Sequence, residues 1–409
     1  MLLLFLTTLL AGCGRNCTDT NKPPLTPEAT LANFQIETGF KIELLAAEPL
    51  VMDPVAMDVD ELGRIFVVEM PGYPLKTDPS GRVRLLEDTD GDGYPDQSTI
   101  FADNLTLPNG VMRWKQGILV TAAPDIWYLE DTDGDNVADV RQVVLTGFAF
   151  SNPQHTISDP VYGLDNWIYI SHEPAVNTII FSEKFGDSGS EIYFPERPEA
   201  ARLKNEGRNL RFKLDTFEIE ALAGTSQFGQ TFDSWGRHFT VNNSNHVRHE
   251  VIHSRYLARN PHLLVSTAMQ NMSDHGGAAQ IFPTTRNPRY EMLTSIGQIT
   301  SACGLTLYLG DAFPSGFERT SFVAEPAHNL VHRDVWSESG STFVASRAND
   351  EKEFLTSTDS WFRPVSFYIG PEGALYLVDY YREVIEHPEW MAREAYESGA
   401  LYGGTNRGR

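Results

Sequence analysis

Two acidic loops carry the residue types and spacing that most directly imply chemistry. In the first, Asp88, Asp90, Asp92, Gly93 and Asp96 set alternate carboxylates where they can converge on one cation, with a glycine to permit the sharp turn. Asp131, Asp133, Asp135 and Asp139 repeat the pattern, and Asn136 stands where the first loop has its glycine. Asparagine visits positive φ more readily than most residues, so the exchange is tolerable. Thr99 and Gln142 occupy the twelfth positions instead of Glu, so neither loop is a complete EF-hand and further ligands must come from elsewhere. A solvated acidic turn is the plain alternative. Two copies at matching positions favour calcium in a structural role, as a clamp on a hairpin.

A second constellation is less regular. Polar clusters occur at Glu69 to Tyr73, Asn242 to His249, Glu325 to Asp334 and Asp379 to His387, joined by Gln154-His155 and Trp361-Phe362-Arg363. Each lies next to an apolar strand pattern, where strands would empty onto a common mouth. Arg248, Arg333, Arg363 and Arg382 within them suggest a pocket for an anionic ligand, since guanidinium meets carboxylates bidentately. The competing reading is that these loops only hydrogen-bond one another.

The elements that must position these groups are read from repeats. The segment Leu85 to Asp92 recurs as Tyr128 to Asp135, and Asp131 follows Asp88 by 43 residues. A period of about 40 to 50 residues built from short strands is that of a propeller blade. Six strand–turn–strand cassettes follow: 57–68, 111–121, 161–170, 231–240, 304–324 and 366–378. Helical periodicity is confined to about 388–398, so the expected class is all-β, a six-bladed β-propeller. The apolar segment Phe40 to Leu45 is expected to pair with the last blade and close the ring.

Composition narrows the setting. Residues 1–12 read as a lipoprotein signal peptide, with Leu10-Ala11-Gly12-Cys13 as a lipobox and Cys13 as the lipidated residue, although no Lys or Arg precedes the apolar run. Residues 13–33 then form a flexible tether and 34–409 the propeller. The expected location is outside the cytoplasm, lipid-anchored to a bacterial membrane and facing the periplasm or cell surface. Cys17 and Cys303 belong to no Cys-x-x-Cys pair, so a disulfide framework, a zinc site and covalent haem lack support. A formal charge of −23, from 55 acidic against 32 basic residues, argues against nucleic acid as a partner. The chain stops at Arg409 without a terminal strand, which reads as a truncated gene product.

Gly163 to Tyr169, Ser301 to Thr306, Glu325 to Asp334 and Trp361 to Pro388, together with Gln154-His155 and the first Asp loop, resemble the membrane-bound dehydrogenase family of quinoprotein-like propellers. That family is similar to soluble pyrroloquinoline-quinone dehydrogenases of glucose and sorbosone type. The resemblance implies oxidation of a sugar or related alcohol, with calcium and quinone as cofactors and an external electron acceptor such as a cytochrome. Longer members carry a haem domain, for which this chain has no motif. His155 matches the position of the general base, and Arg333 and Arg363 are the candidates to stabilise quinone charge. Gln154, Asn243, Arg248, His328 and Arg382 are the candidate cofactor contacts. Ser226-Gln227-Phe228-Gly229 departs from the pattern where an Arg-containing cofactor loop is expected. A calcium-dependent lactonase-like hydrolase and a non-catalytic glycan-binding propeller stay open as alternatives.

Overall fold

The structure, a computed structural model, describes residues 23–174, 181–260, 262, 264–285, 296–391, 393, 397 and 400–409. The signal peptide, the lipobox, Cys13 and Cys17 lie outside the described residues. The described chain is all-β with few and short helices. Among the described residues, six antiparallel sheets follow one another in sequence, and a seventh, two-stranded one, Glu191–Ile192 with Leu203–Lys204, lies in an excursion of the third. The first uses Pro54–Val59, Ile65–Glu69, Gly81–Glu87 and Gln97–Leu105; the second uses Gly110–Trp114, Gly117–Ala122, Asp125–Glu130 and Val140–Thr146. The third combines Ser158–Tyr162 and Ile168–Ser171 with Leu210–Lys213 and Glu218–Ala221, and the fourth begins at Gln230–Phe232 and ends at Met269–Asn271. The fifth runs from Cys303–Leu307 to Leu355–Ser357, and the sixth consists of Pro364–Ile369 and Leu375–Asp379.

Each expected cassette falls on the first two strands of one sheet. The reason is visible in the second strands: Ile65–Glu69, Gly117–Ala122 and Ile168–Ser171 are buried at every position. Such strands are covered on both faces, so they read as continuous apolar runs. The first strand of each sheet touches the first strand of the next, and that of the sixth touches that of the first. Close approach is enforced by small residues: at Gly304, φ is +62° and an added Cβ would lie 2.8 Å from the Val365 carbonyl oxygen.

Two expectations need correction. Residues 41–47 form no strand; the Phe40 ring instead packs edge-on against Phe313, Phe317 and Phe354. The N-terminal strand is Phe34–Ile36, paired antiparallel with Leu355–Ser357 of the fifth sheet. The ordered part also begins earlier than Phe34. The Leu25 amide donates to the Tyr381 hydroxyl at 2.8 Å, and Arg409 donates to the Leu25 carbonyl at 2.9 Å, so polar partners hold a segment that has no apolar pattern of its own. The helical stretch read at 388–398 is borne out among the described residues: Arg393 and Glu397 are helical and pair at i,i+4, after a short 3-10 turn, Pro388–Trp390, that proline starts and His387 caps. The chain end is tied in as well, because Arg409 exchanges two backbone hydrogen bonds with Asp379. Among the described residues, no helix is long and apolar enough to cross a membrane.

Candidate functional site

A cavity of about 510 Å³ lies among the first strands, lined from five of the six sheets or their connections. Val55, Met70 and Tyr73 come from the first sheet and the loop after it, and Gln154 from the turn before the third. Gln227 precedes the fourth sheet, Asn243 and Ser244 lie within it, and Thr300 to Cys303 lead into the fifth. Tyr380, Glu386, His387 and Trp390 add to the wall, and Phe228, Ile299, Val365 and Ile385 supply much of its apolar part. The polar part includes amides, hydroxyls, one carboxylate and one imidazole. Among the described residues, none that lines it is Arg or Lys.

The candidates named from sequence divide accordingly. Gln154 and Asn243 line the cavity. The Gln154 amide donates to the Tyr73 hydroxyl at 2.7 Å, and Tyr73 in turn donates to the Ile385 carbonyl. His155 sits one layer behind. It is 9% exposed, and its Nε2 lies 3.3 Å from the Gln227 amide nitrogen. With Nε2 accepting from that amide, the imidazole is the neutral tautomer with its lone pair turned toward a cavity residue. Burial holds its pKa below the ordinary value, and the Glu173 charge opposes that shift.

The arginines do not gather at the cavity. Arg363 is fully enclosed and donates to three backbone carbonyls, those of Arg382, Pro326 and Glu383. Arg382 pairs with Asp53 at 2.8 Å, Arg333 with Glu37 at 2.8 Å, and Arg248 donates to the Thr225 carbonyl. His328 is fully buried against Glu325 at 3.0 Å and accepts from the Gly297 amide through Nε2. These groups satisfy carbonyls and carboxylates that would otherwise be buried unpaired, and none of these arginines lines the cavity. His387, Glu386, Tyr73 and Gln227 are cavity residues that the sequence reading left unassigned. All four stood in segments it had singled out, but the arginines and His155 drew the assignment.

His387 shows what enclosure does to a cavity residue. Burial, and next to it His155, push its imidazole down to about 3. The unfolded chain would protonate near 6.5 while the folded one stays neutral, so this contribution to stability is complete above pH 6.5 and is lost as pH falls from there toward 3. The stability of wild type relative to His387→Gln should therefore fall by up to about 1.4 kcal/mol per pH unit below 6.5. Urea unfolding midpoints of both proteins at several pH values between 5 and 8 measure it, and a pH-independent difference would contradict it.

The Asp loops join the third and fourth strands of the first and second sheets, at equivalent places. Asp88, Asp90 and Asp92 bring ligand oxygens within 4.8 Å of one another, as do Asp131, Asp133 and Asp139. Asp96, which accepts from the Thr89 hydroxyl, and Asp135, which accepts from the Val137 amide, lie outside these groups of three. Gly93 and Asn136 both take positive φ. Backbone amides close the loops: the Asp88 carboxylate accepts from Gly91 and Gly93, and that of Asp131 from Gly134 and Asn136. Preformed carboxylate triads of this kind fit a hard cation, and a cation bound only to the native state raises stability by mass action. Removing calcium with a chelator should lower the melting temperature by several degrees, and Asp90→Ala and Asp133→Ala should each reduce that response. A melting curve unchanged by excess chelator would show that the loops need no ion.

Sequential antiparallel sheets around one cavity, apolar over most of its wall with polar groups set into it, define the class: an all-β protein with a small-molecule-sized site where its sheets meet. The chain belongs to the family described as Domain of unknown function (DUF7133), whose model matches residues 26–409. No curated protein matches it. Similar solved structures include a "calcium structure" of a carbohydrate-active enzyme of family AA12 from Trichoderma reesei, 14% identical over 88% of this chain and 96% of that one, with a TM-score of 0.49. The PQQ domain of pyranose dehydrogenase from Coprinopsis cinerea is 12% identical over 84% and 94%, with a TM-score of 0.46. The PQQ-bound form of aldose sugar dehydrogenase from Streptomyces coelicolor is 12% identical over 92% and 96%, with a TM-score of 0.43.

Proposed function

We propose that the chain is a six-bladed propeller of dehydrogenase-like type whose central cavity takes a neutral sugar or related alcohol. Support for the ring is the cycle of contacts among the six first strands, which returns from the sixth sheet to the first. The observation that carries the ligand class is the cavity wall itself. Gln154, Gln227, Asn243, Ser244, Thr300 and Ser301 offer donors and acceptors without net charge, and Trp390 offers an aromatic face. A polyhydroxylated neutral molecule needs such paired donors and acceptors, and an apolar competitor would leave them unsatisfied.

In the catalytic form of this reading, substrate displaces the Gln227 amide, the Nε2 lone pair of His155 receives the hydroxyl proton, and the hydride on the same carbon leaves to an external two-electron acceptor. Pyrroloquinoline quinone is a tricarboxylate, and among the described residues the wall brings it no guanidinium or ammonium group, so the described residues do not fit it. Export by the signal peptide, anchoring through Cys13 and an external electron acceptor belong to the same proposal. A second reading, glycan binding without turnover, draws on one feature: the Gln227 amide caps His155.

The test is reduction of an artificial electron acceptor by a panel of aldoses and polyols, with and without added calcium and quinone. Sugar-dependent reduction supports the dehydrogenase. Binding without reduction under every condition supports the glycan-binding form, and absence of both binding and reduction overturns the proposal.

A further inference from the structure

Away from the cavity, at the junction of the fourth and fifth sheets, three histidines and one aspartate converge. His246 lies on the strand Asn245–Glu250, His332 and Asp334 lie on Leu330–Ser339, and His275 lies in the turn after Met269–Asn271. Each offers a ligand atom, and these atoms all lie within 4.8 Å of one another. Nδ1 of His246 is 3.0 Å from Nε2 of His275, which is 3.8 Å from an Asp334 oxygen. Nε2 of His332 is 2.9 Å from that same oxygen. Four ligands at tetrahedral bonds of ~2.0–2.1 Å would sit ~3.3 Å apart, so these spacings already bracket what an ion would demand.

The surroundings fit the same chemistry. Nδ1 of His332 contacts Glu353 at 2.7 Å and Nδ1 of His275 contacts Asp274 at 3.1 Å. A carboxylate on the far nitrogen fixes the tautomer that points the other nitrogen inward, as around metal-bound imidazoles. Asp274 and Ser346 are hydrogen-bonded in their turn at 2.5 Å. His246 and Asp334 are each 1% exposed, yet His246 Nε2 and Asp334 Oδ2 have no hydrogen-bond partner. Asp274, Asp334 and Glu353 oppose one nearby guanidinium, that of Arg347. With neutral imidazoles, that leaves two negative charges, the complement of a divalent cation.

We propose that His246, His275, His332 and Asp334 form a closed, four-coordinate site for a zinc-class divalent transition-metal ion that clamps the fourth sheet to the fifth. Imidazole-rich sets select such ions over calcium, and a full complement of four protein ligands marks a structural role. His275, on the half-exposed turn with the exposed Asp274, is the entry side.

The full chain is stripped with a chelator, loaded with Co²⁺, freed of excess by gel filtration, and examined by metal analysis and visible absorption. The expected result is about one ion per chain with the intense d–d bands of tetrahedral cobalt, displaced by Zn²⁺, and a metal-dependent rise in melting temperature. His275→Ala and His246→Ala should each weaken binding at least 100-fold; His275→Ala is the safer variant because its residue lies on a surface turn. Asp274→Asn, a positioning change, should weaken it ~10–100-fold. Asp90→Ala and Asp133→Ala should leave the tetrahedral spectrum intact. Octahedral-type weak absorption only, or tetrahedral bands that survive His275→Ala, would overturn the site.

Discussion

Arg382→Met is expected to lower the unfolding free energy by about 3–5 kcal/mol, the usual cost of stranding one member of a buried ion pair. Arg382 is 1% exposed and Asp53 is fully buried, and their contact at 2.8 Å joins the segment after the sixth sheet to the entrance of the first. The same guanidinium also donates to the Tyr380 and Thr405 hydroxyls. Asp53 accepts from the Asn406 amide, so one carboxylate holds two parts of the C-terminal region. Burial already raises the Asp53 pKa against the pull of Arg382, and removing that cation leaves desolvation unopposed. The double variant Asp53→Leu with Arg382→Met should recover part of the loss, because it removes the stranded charge. Urea unfolding of the two single variants and the double variant measures the coupling. An Arg382→Met protein within 1 kcal/mol of wild type would show that the join between these two segments does not depend on this pair.

His155→Ala is expected to cut sugar turnover ~10²- to 10⁴-fold while sugar affinity stays near that of wild type, the signature of a lost general base. The variant must be melted alongside. Its ring is buried and contacts Gln227, so a purely structural histidine would instead lower stability by ~1 to 3 kcal/mol and leave turnover per folded molecule unchanged. The two outcomes separate on one pair of measurements.

The fold was largely legible because its signals are local. The 43-residue offset between the Asp loops reports two equivalent hairpin turns, and the buried second strands announce themselves as apolar runs. Phe40 to Leu45 misled because apolar alternation says that a segment packs, and does not say whether its backbone finds a ladder partner. The arginines misled for a related reason. Guanidinium groups near a strand end suit an anion or a set of buried carbonyls equally well, and only the folded path of Pro326, Arg382 and Glu383 decides for Arg363. The histidine cluster was invisible as a unit, since His246, His275 and His332 are brought together by the packing of two sheets.

The central claim, that the cavity binds a neutral sugar or related alcohol, is tested most directly by calorimetric titration of neutral aldoses, with sugar acids for comparison, into wild type and into the Gln154→Leu and Asn243→Leu variants. The expected result is saturable binding of at least one neutral aldose, weaker binding of the corresponding acid to a wall without cations, and a loss of 10-fold or more in affinity in each variant. Binding that is unaffected by both substitutions, or a preference for the acid, would contradict the assignment.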